Sequence, residues 1–237
     1  DASENYIKIF AEKGKSLPLV LFLKAESLRE AQAYGSAQIA YGELVENFPE
    51  DDFAPKAMFM QGFLYLQQGD NEGALYQFEQ VQRIYPESGM REDSDYWTGM
   101  AFSFSGLYEE AREHLQGYLT RYDSPKYEKE SQFRIAVCTF SLGDYEGALK
   151  FLESFNEKYP GDDLTDEGNL LIGDAYFAAG NSEEGLAAYE RVRSQSGRYF
   201  EEAWFKKGTA LKLLEDYEAM RAHFETFVSD FASSSRM

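Results

Sequence analysis

The sequence predicts an all-α protein, a solenoid of about six helical hairpins that repeat every 37 residues. Three observations predict it. A turn pattern recurs at fixed spacing: Gly69-Asp70-Asn71-Glu72-Gly73-Ala74, Gly106-Leu107-Tyr108-Glu109-Glu110-Ala111, Gly143-Asp144-Tyr145-Glu146-Gly147-Ala148 and Gly180-Asn181-Ser182-Glu183-Glu184-Gly185. A further copy, Glu215-Asp216-Tyr217-Glu218-Ala219-Met220, arrives two residues early, and Ala37 holds the matching place upstream. On both sides of each turn, apolar residues recur three and four apart, as on one helix face. Aromatics make 16% of the chain and fall in columns of the same repeat. One hairpin cannot bury both of its faces alone, so such units must stack.

Each element follows in order. The units run 18–54, 55–91, 92–128, 129–165, 166–200 and 201–237. The first helix of a unit carries a small residue seven places before the turn: Gly62, Gly99, Ala136, Gly173 and Gly208. Three places later come Tyr65, Phe102, Thr139, Tyr176 and Leu211. The turn glycine permits the positive φ that ends a helix. Asp70, Asp144, Asn181 and Asp216 are placed to cap the second helix, and Asn181 with Glu184 has capping-box spacing. The second helix buries Phe78, Leu115, Leu152, Tyr189 and Phe224, then Val81, Tyr118, Phe155, Val192 and Phe227. Units close on Phe48-Pro49, Tyr85-Pro86 and Tyr159-Pro160, where proline stops the helix; Tyr122-Asp123, Ser196-Gly197 and Phe231-Ala232 depart. Residues 1–17, with Tyr6, Ile7 and Phe10, read as the end of a preceding repeat or a capping helix.

These columns resemble the tetratricopeptide repeat: a small residue, an aromatic three later, a glycine turn, an alanine, an aromatic, then proline. The resemblance covers residues 18–237. It implies a single right-handed α–α superhelix. The period departs from the family's usual length of about 34 residues. The large aromatic that often opens the first helix is present only as Trp204; Met58, Asp95, Gln132 and Asn169 hold that column elsewhere. The helix ends Phe48-Pro49-Glu50-Asp51, Tyr85-Pro86-Glu87-Ser88 and Tyr159-Pro160-Gly161-Asp162 are similar to those of bacterial cell-envelope repeat proteins. Examples are the lipoprotein of the outer-membrane assembly machine and the Tol–Pal-associated repeat protein. That likeness implies a periplasmic or outer-membrane-attached scaffold, with a cytoplasmic protein as the alternative.

Charge narrows the partners. Lys and Arg number 23 against 42 Asp and Glu, a net charge of −19. This excludes nucleic acid, whose affinity rests on cations at phosphates, and attraction to an anionic membrane surface. One cysteine, Cys138, excludes an internal disulfide and a multi-cysteine metal site. The apolar stretch Leu19–Leu23 is far short of the roughly 20 residues that span a bilayer. A chain that starts at Asp1 rather than Met is read as processed or truncated, with any leader or lipid anchor removed.

No catalytic, metal or cofactor site is expected. His114 and His223 share a register three units apart, cannot share a site and are expected to be solvated. Cys138 is expected to be a small core residue. Acidic pairs near helix starts suit the helix dipole. No calcium loop, phosphate loop or serine-nucleophile motif is present.

Function therefore rests on what the repeats bind. In tetratricopeptide proteins the first helices line the concave face, and the resemblance puts unit positions 2, 5, 9 and 12 there. This assigns Phe59, Phe63, Tyr96, Met100, Phe133, Phe140, Phe177 and Phe205 to an apolar groove. Position 2 adds an acidic rim from Asp93 through Glu130, Glu167 and Glu202. Aromatic anchors within a charged rim suit a partner's amphipathic helix or extended peptide with basic flanks. Two other roles compete: the position 5 aromatics pack between helices, or a neighbouring segment fills the groove. The alternative function is a carbohydrate-binding module with Trp97 and Trp204 as platforms. Most groove aromatics are Phe, which lacks the polar handle sugars use.

Overall fold

A computed structural model describes residues 17–193 and 197–230; the preceding repeat expected over residues 1–17 lies, Leu17 aside, outside them. The described residues form twelve α-helices and no strand. They divide into two compact units, one ending at Tyr127 and one beginning at Glu128. The first holds α1 (Leu17–Glu30), α2 (Tyr34–Asn47), α3 (Ala54–Gln67), α4 (Asn71–Ile84), α5 (Met90–Phe104) and α6 (Tyr108–Arg121). The second holds α7 (Glu128–Ser141), α8 (Tyr145–Lys158), α9 (Asp163–Ala178), α10 (Ser182–Glu190), α11 (Arg198–Leu213) and α12 (Tyr217–Asp230). Within each unit every helix packs on the next. First helices also meet one another: α3 with α5, α7 with α9, and α9 with α11.

The hairpin turns are one device used six times. The second residue after each first helix adopts positive φ: Gln32, Gly69, Gly106, Gly143, Gly180 and Glu215. The next N–H then reaches back to a carbonyl in the last turn, as Asp70 does to Tyr65 at 2.9 Å and Ala33 to Leu28 at 2.9 Å. That is the Schellman closure of a helix C-terminus. The second helix starts at once. Asp70 and Asp144 accept from the N–H of Gly73 and Gly147, both at 2.9 Å, and Asp216 accepts from Ala219 at 3.0 Å. Asn181 stands at the same place but makes no side-chain cap. The capping box expected there is therefore not formed.

The core of each hairpin sits where a small residue meets a large one. Gly173 lies directly beneath Tyr189, where an added Cβ would be 2.2 Å from the ring. Gly62 under Phe78 repeats the arrangement. Phe78, Leu115 and Leu152 are fully buried, as are Ala74, Ala111 and Ala148 after the turns. Cys138 is buried in α7, as expected.

Candidate partner-binding surfaces

The eight aromatic-column residues separate into two groups. Tyr96, Met100 and Phe133 are buried, at 5%, 6% and 3% exposure. Tyr96 stacks on Tyr127 with ring centres 4.1 Å apart. Phe133 packs on Phe155 at 5.2 Å. Phe22 and Leu170 of the same position are buried too. Position 5 thus serves packing in most repeats. Phe59, Phe63, Phe140, Phe177 and Phe205 are half-buried. Phe59, Phe140, Phe177 and Phe205 each lean on the second helix of their own hairpin, against Phe78, Tyr145, Tyr189 and Phe224. Phe63 instead reaches the next first helix and meets half-buried Trp97 edge-on at 5.1 Å.

Position 9 has a use that column reading missed. The Tyr41 hydroxyl donates to Glu26, and the Tyr189 hydroxyl donates to Asp174 at 2.7 Å. A buried hydroxyl needs an acceptor, so these acids answer to a tyrosine on the paired helix. Burial, then the adjacent carboxylate, pushes both phenols well above their ordinary range. The position 2 rim is engaged as well. Asp93 is 6% exposed and accepts from the Tyr127 hydroxyl and from Lys126 at 2.5 Å. Glu167 accepts from Tyr199 at 2.7 Å. Tyrosines at the ends of the same repeats make these contacts, so Asp93 and Glu167 do not stand as an unoccupied acidic edge.

Position 4 holds the least expected site. Asp95 is 1% exposed, in a column occupied elsewhere by Met58, Gln132, Asn169 and Trp204. His114 Nε2 lies 2.9 Å from its carboxylate and Arg121 pairs with it. Burial alone would raise the Asp95 carboxyl, but the His114 and Arg121 bonds hold it below its usual value. Tyr122, beside them, is pushed up to about 12 by burial and by Asp95. Around this centre a cleft of about 380 Å³ opens between α4, α5 and α6, lined also by Glu79, Gln82, Arg83 and Arg91.

The second unit has a counterpart in which Trp204 replaces the aspartate. His223 Nε2 bonds the Trp204 carbonyl at 2.8 Å, and the rings stack at 5.2 Å. A smaller cleft of about 190 Å³ lies there, among Tyr189, Phe200 and Lys207. Both histidines are half-buried and bonded, which corrects the expectation that they are solvated. Each reaches across its hairpin to the first helix. Burial lowers the His223 pKa. In the first unit, the loops after α2 and α4 bound a shallow groove of about 680 Å³, edged by Glu50, Asp52, Ile84, Tyr85 and Glu87.

Among the described residues no group of His, Cys, Asp and Glu is placed to hold a metal ion. No described helix is long and apolar enough to cross a membrane.

Comparison with known proteins agrees with this architecture. A tetratricopeptide-repeat model matches residues 56–88. The crystal structure of PilW, a type IV pilus biogenesis factor, is similar with a TM-score of 0.70, at 13% identity, over 94% of this chain and 97% of that one. YrrB, described as a tetratricopeptide protein with an unusual peptide-binding site, is similar with a TM-score of 0.59, at 20% identity, over 81% and 91%. Tetratricopeptide repeat protein 1 of Schizosaccharomyces pombe is 24% identical over 185 residues, 74% of this chain but 17% of that protein's length. The chain spans under a fifth of that relative's length. The model of the outer membrane lipoprotein YfiO matches residues 96–235, more than half of the sequence, and the chain therefore belongs to the YfiO family of tetratricopeptide-repeat proteins.

Proposed function

We propose that the chain is a non-catalytic scaffold that binds a peptide or helix of a partner protein in a bacterial cell-envelope assembly. Its place would be periplasmic or attached to the outer membrane. The observation that carries the reading is the Phe63–Trp97 pair, two half-buried aromatics on the first helices of successive repeats. Aromatic anchors at such a site dominate binding energy where they are desolvated by a partner. Phe59 extends the same strip along α3. Membership in a family named for an outer membrane lipoprotein supports the compartment. A net charge of −19 favours partners with basic flanks. The saccharide reading has less support. Trp204 already stacks on His223, and Trp97 is flanked edge-on by Phe63 and Tyr96.

The test is cross-linked capture from an envelope fraction with the intact chain and with Phe63→Ser/Trp97→Ser. A partner retained by the intact chain, lost by the variant, and accompanied by an unchanged melting curve supports the strip. Equal retention by both moves the interface elsewhere.

A further inference from the structure

In this strongly acidic chain, three arginines converge on one cleft. Asp95 accounts for one of them. Its column is uncharged elsewhere, with Met58, Gln132, Asn169 and Trp204, and an uncharged residue there would avoid burying a charge, which is costly even when paired. Arg121 offsets that carboxylate, and His114 lies 2.9 Å from it while bonding the Asp95 backbone carbonyl. Arg83 and Arg91 are not needed for this. Arg83 bonds the neutral amide of Gln80, and Arg91 bonds the Pro86 carbonyl at a long 3.3 Å. Neither has a carboxylate partner among the described residues, and both are exposed on the wall of the 380 Å³ cleft. Gln82 is fixed by donating to Thr98 at 3.1 Å, and Glu79 is the one other acid in the lining. The buried aspartate thus anchors one guanidinium while two more stand ready beside it.

We infer that the cleft between α4, α5 and α6 binds an acidic segment of a protein partner, its carboxylates received by Arg83 and Arg91. Guanidinium forks match carboxylates in geometry and charge. The cleft shares no residue with the Phe63–Trp97 strip, so one partner would be held by an apolar anchor on the strip and an acidic segment on the arginines, its basic flanks facing the acidic remainder of the surface. This rests on the scaffold reading only for the occupant being a protein.

A fluorescein-labelled octaglutamate peptide, followed by anisotropy at low salt, tests it. The intact chain should bind saturably. Arg83→Gln/Arg91→Gln should weaken binding by about tenfold or more, the loss expected for charged hydrogen bonds. Its melting curve should not move, because both side chains are exposed. Phe63→Ser/Trp97→Ser should bind the peptide as the intact chain does, so a failed aromatic strip and a failed cleft give different results. Inorganic phosphate, titrated alone, tests the other source of oxyanions. No saturable peptide binding, equal binding by the arginine variant, or binding of phosphate without the peptide would each overturn the assignment.

Discussion

The Tyr189 hydroxyl donates to the Asp174 carboxylate at 2.7 Å, and Tyr41 makes the same bond to Glu26 in the first hairpin. In both pairs the partners are 15 residues apart. The three hairpins between them carry Phe78, Leu115 and Leu152 in place of the tyrosine, and Phe63, Met100 and Val137 in place of the acid. Polar meets polar and apolar meets apolar across the hairpin. The reason is that an orphaned buried polar group costs more than a matched pair contributes.

This pairing makes Tyr41→Phe destabilising by about 1 kcal/mol, because Glu26 loses a donor in a half-buried place. Adding Glu26→Leu to that variant should recover most of the loss, since it recreates the apolar pairing of the neighbouring hairpins. Urea denaturation of the two single variants and the double variant measures the coupling. Additive losses would show that the two residues act independently.

Gln32 and Glu215 occupy the turn with φ of 59° and 58°, where the other copies have glycine. A side chain in the left-handed region costs about 1 kcal/mol or more. Gln32→Gly should therefore raise Tm, and Gly69→Ala should lower it by a similar energy. Thermal melts monitored by circular dichroism decide the sign of each.

Gly173 lies against the Tyr189 ring. Gly173→Ala should cost about 1–3 kcal/mol through overpacking. The hairpin with Ala136 beneath Leu152 shows the matching solution. Gly173→Ala/Tyr189→Leu should therefore be more stable than Gly173→Ala alone, with Lys206 still pairing Asp174 at 2.5 Å. A double variant less stable than the single would mean that the Tyr189 bond outweighs the clash.

Asp95 is held below its usual carboxyl value of 3.8, despite burial, by His114 and Arg121. A lowered folded pKa contributes stability above the unfolded value, and that stability is lost as pH falls toward the folded pKa. Between pH about 4 and 3, the urea midpoint of the native chain should thus fall more steeply than that of Asp95→Asn. At neutral pH the variant should be the less stable of the two, since Arg121 loses its anion. Parallel acid titrations of the midpoint read both effects.

The sequence by itself determined the hairpin, its period and its punctuation. Glycine conformation, aspartate caps and the three-and-four spacing are local properties, and they act within a few residues. Hence the turn residues and the caps at Asp70, Asp144 and Asp216 were legible without coordinates. The candidate site was legible only as a set of columns. Position within a repeat places a side chain on a helix face, but the neighbour across the hairpin decides whether that face is covered. The tertiary structure alone therefore buried Tyr96, Met100 and Phe133 while leaving Phe63 half-exposed against Trp97. It also brought Arg83, Arg91 and Arg121 together from three helices around Asp95. Charges that far apart in the chain are joined only by packing. The sole sign of them in the sequence was one acidic residue in a column that is otherwise uncharged.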